Sequence, residues 1–215
     1  MKIGILGSGI VGRVLADAFL KEGYEVMLGT RNIAKSEVVN WKAEHAGGQT
    51  GTFEQTAEFG ELIVLCTTGT VIEEVIMLSG KEHFRGKIVI DTTNPIAAAP
   101  PVQGVLSFFT DINESLMEKT QAMVPAAHFV KAFNSVGSAV MYKPDYGEIK
   151  PTMFICGNDA VAKATITDIL TVFGWETEDM GHAEAARAIE PLCMLWCIPG
   201  FLQNQWTHAF KLLKK

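Results

Sequence analysis

The first thirty-two residues constrain the fold more than any other stretch. Lys2 to Leu6 is a short apolar run suited to a buried strand, and Gly7-Ser8-Gly9-Ile10-Val11-Gly12 follows at once. Arg13 to Glu22 continues as an amphipathic helix, and Tyr24 to Leu28 is a second strand. A lone G-x-G-x-x-G is common by chance, but one framed by strand, helix and strand is the dinucleotide-binding fingerprint. Gly7 permits a sharp turn off the strand, Gly9 lets the backbone approach a pyrophosphate, and Gly12 allows close helix–sheet packing. The free N–H groups at the helix start then face the phosphates, aided by the helix dipole. Without a ligand, the same residues would be only a tight turn between strand and helix.

The end of the second strand bears on which dinucleotide fits. An NAD site usually places an Asp or Glu there to accept from the ribose hydroxyls. This chain reads Leu28-Gly29-Thr30-Arg31-Asn32, with no acid in the window. Thr30 can donate a hydroxyl hydrogen bond, and the planar fork of Arg31 suits a 2′-phosphate and can stack on adenine. Lys35 lies one helical turn on if Asn32 caps the next helix. The alternative is that Arg31 and Lys35 are solvated loop charges. The missing acid favours NADP(H) as cofactor.

Beyond this unit, strands and helices alternate almost throughout, which predicts a parallel sheet with helices on both faces. Expected helices are 33–45, 53–59, 71–78, 113–123 and 160–173, with a last one from His182 to the C-terminus interrupted at Pro199-Gly200. Expected strands are 49–52, 62–66, 87–91, 129–133, 152–156 and 175–179. The fold class is therefore α/β, a Rossmann-type doubly wound, mainly parallel sheet of about eight strands with C-terminal helices. At 215 residues the chain suits one NADP-binding domain (residues 1–215). It divides into a six-strand core, 1–143, and a smaller strand-and-helix extension, 144–215.

Ligands in open α/β sheets bind outside the carboxyl ends of the strands. That rule marks Cys66-Thr67-Thr68-Gly69-Thr70, Thr92-Thr93-Asn94-Pro95, and the stretch from Ala132 through Asn134 to Val136. Ordinary turn chemistry would also explain each loop taken alone. Asn94 and Asn134 are the side chains expected to position the nicotinamide end.

The catalytic inventory is thin, and no catalytic residue is assigned. There is no paired-carboxylate signature, no nucleophile elbow, and no metal-ligand spacing among the five histidines, so no metal is expected. Lys131 alternates with Phe129 and Phe133 and could be a general acid, a phosphate contact or a surface charge at a strand end. Cys193 and Cys197 share a helix face, as two small core residues or a redox pair. Hydride transfer between two rings needs alignment and exclusion of water more than proton chemistry.

A net charge of −6 argues against nucleic-acid and anionic-membrane partners. The four cysteines follow no disulfide framework, which suits a cytoplasmic protein. A first strand beginning at residue 2 leaves no room for a signal peptide. Leu192 to Leu202, broken by Pro199-Gly200, is too short to span a bilayer.

These residues resemble the coenzyme F420-dependent NADP oxidoreductase family, and the cytosolic oxidoreductase domain of the STEAP metalloreductases is similar too. The resemblance rests on the glycine loop, Gly29-Thr30-Arg31-Asn32, Val130 to Ser135, Cys156-Gly157-Asn158-Asp159, and Asp179-Met180-Gly181 with Ala186 to Leu192. It implies that Thr30, Arg31 and Lys35 hold the 2′-phosphate and that the loop after Phe133 borders the nicotinamide. It further implies a deazaflavin or flavin as second redox partner, stacked near Arg187, Leu192 and Trp196. Packing of the terminal helix or a homodimer interface are the alternatives for those residues. Nothing corresponds to the transmembrane part of the STEAP proteins, so a haem-coupled role is not expected. The function expected is an NADP(H)-dependent oxidoreductase with a small-molecule redox acceptor. A reductase of small imines or carbonyls and an NADP(H)-sensing module are the rivals.

Overall fold

The structure is a computed structural model that describes residues 1–215. Six parallel strands form one sheet in the order β3-β2-β1-β4-β5-β6. They are β1 (Lys2–Leu6), β2 (Glu25–Gly29), β3 (Gly48–Gly51), β4 (Leu62–Leu65), β5 (Ile88–Asp91) and β6 (His128–Lys131). The chain runs outward from β1 to β3, then returns to the other side of β1 with β4. The switch point therefore lies between the carboxyl ends of β1 and β4, where open α/β sheets bind ligands.

The central strands are apolar on both sides because both faces are covered. Ile3, Ile5, Leu62 and Val64 point into a core shared with Leu15 and Phe19 of α1 (Ile10–Lys21) and Ile166 of α6 (Ala160–Val172). Leu6, Ile63 and Leu65 point the other way. They meet Ala57 of α3 (Phe53–Phe59), Ile76 of α4 (Ile72–Ser79) and Met117 of α5 (Leu116–Met123). Capping boxes, Thr52 with Gln55 and Ser115 with Glu118, start α3 and α5 by satisfying amides that the helices themselves cannot.

The expected sheet of about eight strands is corrected to six plus two. Strands β7 (Thr152–Ile155) and β8 (Glu176–Asp179) pair in parallel with each other as a separate sheet. The backbone bridge from this segment to β6 is the antiparallel pair Lys131 and Cys156, one residue past β7. Just past β6, Phe133 takes a left-handed backbone with φ of 60°. That turn carries the chain out of the sheet before another parallel ladder can form.

Three helix expectations also change. Helix α1 begins at Ile10, so the second half of the glycine motif is its first turn. Helix α2 spans Ser36–Glu44, because the Asn32 side chain instead accepts from Ala34 N at 2.9 Å in a turn of its own. Helix α7 (Ala186–Gln203) runs unbroken through Pro191 and Pro199. With the preceding turn it makes a 21-residue helix, Ala183–Gln203, long and apolar enough by length and composition to cross a membrane. Its Cys193, Trp196 and Cys197 are buried against Leu106. Gly200 is a seat for the Trp206 indole, which a Cβ would overlap, and not a helix breaker. The helix ends at Asn204 in a left-handed conformation. Beyond it, residues 204–215 are not helical and fold back along β7, where Thr152 N donates to Phe210 O at 2.8 Å.

Candidate cofactor crevice

The glycine loop is shaped by close approach. Gly7 has φ of +127°, and a Cβ there would overlap the Cys66 carbonyl. A Cβ on Gly12 would overlap the Gly7 carbonyl oxygen. Gly9 faces open space, with nothing within 4 Å of where its Cβ would stand. Arg13 donates from Nη1 to Ser8 O at 2.7 Å and braces the loop from beneath. The first-turn amides of α1 have no intrahelical partner, and no acid stands in that turn to oppose an anion.

This loop forms one wall of a crevice of about 520 Å³. Gly9, Ile10, Val11, Cys66, Thr67, Thr68 and Asn94 line it. Gly7, Ser8 and Gly12 lie buried behind that wall. Pro95, Ala132, Asn134 and Val136 are buried too. Asn134 works from behind: Asn94 Nδ2 donates to its backbone oxygen at 2.8 Å, and its own Nδ2 donates to Ile189 O at 2.9 Å. Thr67 Oγ1 is buried on the crevice wall and has no hydrogen-bond partner. A buried hydroxyl is rarely left so, and a bound ribose or phosphate would satisfy it. With the open Gly9 face and the free helix amides, the residues present fit a dinucleotide.

At the outer end of β2 the expected residues separate. Thr30 is buried, and its Oγ1 accepts from Ser8 Oγ at 3.2 Å and from Asn32 N at 3.3 Å. It holds the glycine loop to β2. Arg31, Asn32 and Lys35 are exposed at the rim. Arg31 Nη1 lies 3.3 Å from Glu74 Oε1, at the first turn of α4.

Cys66 is a neutral part of the wall, since burial pushes its thiol up to about 12. Lys131 reaches neither crevice nor surface. It is fully buried, with Nζ 2.8 Å from Asp91 Oδ2, 2.8 Å from Glu190 Oε1 and 2.8 Å from Thr93 O. Burial alone would lower its pKa, but the two carboxylates outweigh that and hold it above the ordinary lysine value. The surface-charge and phosphate-contact readings of Lys131 are thereby corrected. A general acid must reach the reacting atom, and this ammonium is enclosed on every side.

The residues that the resemblance placed near a second ring do not line the crevice. Arg187 pairs with Glu118, joining α7 to α5. Trp196 packs on Trp206 and His208 and donates to His208 O at 2.8 Å. Leu192 is half-buried and lines neither the crevice nor the cavity beside it.

That second cavity, of about 380 Å³, went unrecognised in the sequence. Its walls are mostly apolar, from Ile72, Phe109, Leu116 and Met123, and it shares Gly69, Thr70, Ala97 and Ala98 with the crevice. The alanine run after Asn94-Pro95 was the available signal: small side chains there leave room between two helices. Asp91 and Glu190 were also missed. An acid ending an apolar strand and another within an apolar helix were the hint, because buried charges need partners.

The sequence model described as NADP oxidoreductase, coenzyme F420-dependent, matches residues 2–95. The metalloreductase STEAP3 of Rattus norvegicus is 28% identical over 206 residues, covering 94% of this chain. The chain spans about two fifths of that protein, 39% of its length. A crystal structure described as an F420-dependent NADP reductase from Arthrobacter sp. FB24 superposes with a TM-score of 0.93. It is 30% identical, and each chain is covered completely. An imine reductase from Streptomyces aurantiacus shares the fold, with a TM-score of 0.70 at 19% identity, covering 94% of this chain and 63% of its own. The glycine loop, the crevice at the switch point and the full-length match agree, and the chain belongs to the coenzyme F420-dependent NADP oxidoreductase family.

Proposed function

We propose that this NADP-dependent oxidoreductase moves a hydride between the nicotinamide and a flavin- or deazaflavin-type acceptor, with the acceptor ring in the apolar cavity beside the crevice. The observation that carries this reading is the adjacency of the two spaces, which share Gly69, Thr70, Ala97 and Ala98 in their walls. Bound NADPH supplies the hydride. The chain's residues supply alignment: the glycine loop and α1 amides hold the pyrophosphate, and Asn94, steadied by Asn134, orients the nicotinamide end. Apolar walls exclude water from the transfer path. A reduced ring acceptor takes its proton from solvent, so no side chain must provide one.

The crevice wall favours this over imine or carbonyl reduction. Its only titratable group is Cys66, whose thiol is held neutral, so the crevice itself offers no acid to protonate a nascent amine or alcohol; the titratable groups of the second cavity are Glu73 and Lys119. The four unpaired cysteines favour a reducing, cytoplasmic setting.

The test is anaerobic NADPH oxidation with FMN, FAD, a deazaflavin or a ferric chelate as acceptor. Turnover with a ring acceptor is expected, and Met123→Trp, which fills the second cavity, raises the acceptor KM about tenfold while leaving the NADPH KM unchanged. Tight NADPH binding without turnover on any acceptor would identify a sensor instead.

A further inference from the structure

The window Leu28 to Asn32 contains no acid, yet the folded molecule puts one there. Glu74, in the first turn of α4, extends across the outer end of β2, and its Oε1 stands 3.3 Å from Arg31 Nη1. Oε2 of the same carboxylate is 3.5 Å from that nitrogen. Both side chains remain more than half exposed, at 58% for Arg31 and 51% for Glu74, so each can turn to meet a ligand. Lys35 is similarly balanced, with Nζ 3.9 Å from Glu37 Oε1.

We propose that Glu74 is a specificity-determining residue that restrains the preference for NADP(H) over NAD(H) by competing with the 2′-phosphate for Arg31. The inference rests on the reading of Arg31 as the phosphate-binding cation. A phosphate reaching Arg31 must draw the guanidinium from Glu74 or share it. In the shared arrangement, carboxylate and phosphate repel across a few ångströms. With unphosphorylated nucleotide there is no such competition. The carboxylate opposite the ribose end is free to accept from a 2′-hydroxyl, the task that an acid at the end of β2 performs in NAD sites. An acid from another element, delivered by the α4 first turn, therefore offsets part of what the sequence at β2 favours.

The experiment is titration of the full chain with NADP+ and NAD+ by calorimetry at fixed, low salt, for the native protein, Glu74→Gln, Arg31→Ala and Glu148→Gln. Glu148 is an exposed residue in the loop before β7 and makes no ion pair, so its variant controls for loss of one negative charge. The expected result for Glu74→Gln is NADP+ binding three- to tenfold tighter, NAD+ binding unchanged or weaker, and Glu148→Gln unaltered; an exposed pair sets the modest size. An unchanged ratio of the two affinities in Glu74→Gln overturns the proposal, as does an equal change in Glu148→Gln. Arg31→Ala separates the two readings. If it weakens NADP+ while Glu74→Gln changes nothing, only the role of Glu74 fails. If Arg31→Ala leaves NADP+ untouched, the phosphate reading fails and takes this inference with it. Thermal melts show whether each surface variant keeps the native stability.

Discussion

The ammonium of Lys131 at the end of β6 stands 2.8 Å from the carboxylate of Glu190 on α7, with both side chains buried. Glu190 also accepts from Leu116 N at 2.9 Å and Met117 N at 3.0 Å, capping α5 from another helix. Asp91, on the other side of the ammonium, accepts from Thr93 N at 2.9 Å and Thr93 Oγ1 at 2.7 Å, which shapes the loop leading to Asn94. One buried cation thus ties β5, β6, α5 and α7 together beneath the loops that follow β5 and β6. Lys131→Met removes the cation and leaves two carboxylates buried without it. The expected cost is about 3–5 kcal/mol of unfolding free energy, read from denaturant titration. A loss below about 1 kcal/mol would mean that the network is dispensable.

Arg31→Ala is expected to weaken NADP+ by about 1.5–3 kcal/mol, the range for one hydrogen bond to a charged group. NAD+ affinity should change little. Equal weakening of both nucleotides would place Arg31 away from the phosphate.

Gly12→Ala drives a methyl into the Gly7 carbonyl, which belongs to backbone and cannot swing aside. Helix α1 must shift off the sheet, at about 1–3 kcal/mol of stability by comparison with other overpacked sites. The larger effect is on ligand: the displaced amides no longer converge, and NADP+ affinity falls at least tenfold. Gly9→Ala meets no protein atom, so it should preserve the melting temperature while weakening the nucleotide.

The Arg187 guanidinium holds the Glu118 carboxyl down to about 2, against burial, with help from Ser115. A carboxylate lowered on folding stabilises the native state above its unfolded pKa. That contribution is lost as pH falls through the folded value. The stability difference between the native protein and Glu118→Gln should therefore be full near neutrality. It should close between about 4.5 and about 2 on acidification. Melting temperatures across that range check it; a constant gap would show that Glu118 acts through its shape and not its charge.

Much of this molecule was legible in the chain itself. The order of strands and helices follows from hydrophobic periodicity and turn residues, which are local properties. The glycine loop is equally local: Gly7 and Gly12 stand where a Cβ would overlap backbone, and Gly9 leaves its side of the crevice open. What the sequence could not determine involves groups distant along the chain. Whether β7 extends the sheet depends on the turn at Phe133 and on the tail that returns beside Thr152. Whether α7 breaks at Pro199 depends on the seat that Gly200 provides for Trp206. Lys131 reads as a lone cation until folding brings Asp91 and Glu190 to it, and Arg31 reads as unopposed until α4 delivers Glu74. Spacing along the chain specifies elements because backbone hydrogen bonding is short-ranged. Charge pairing and cavity shape belong to tertiary structure because they depend on which side chains meet after the elements pack.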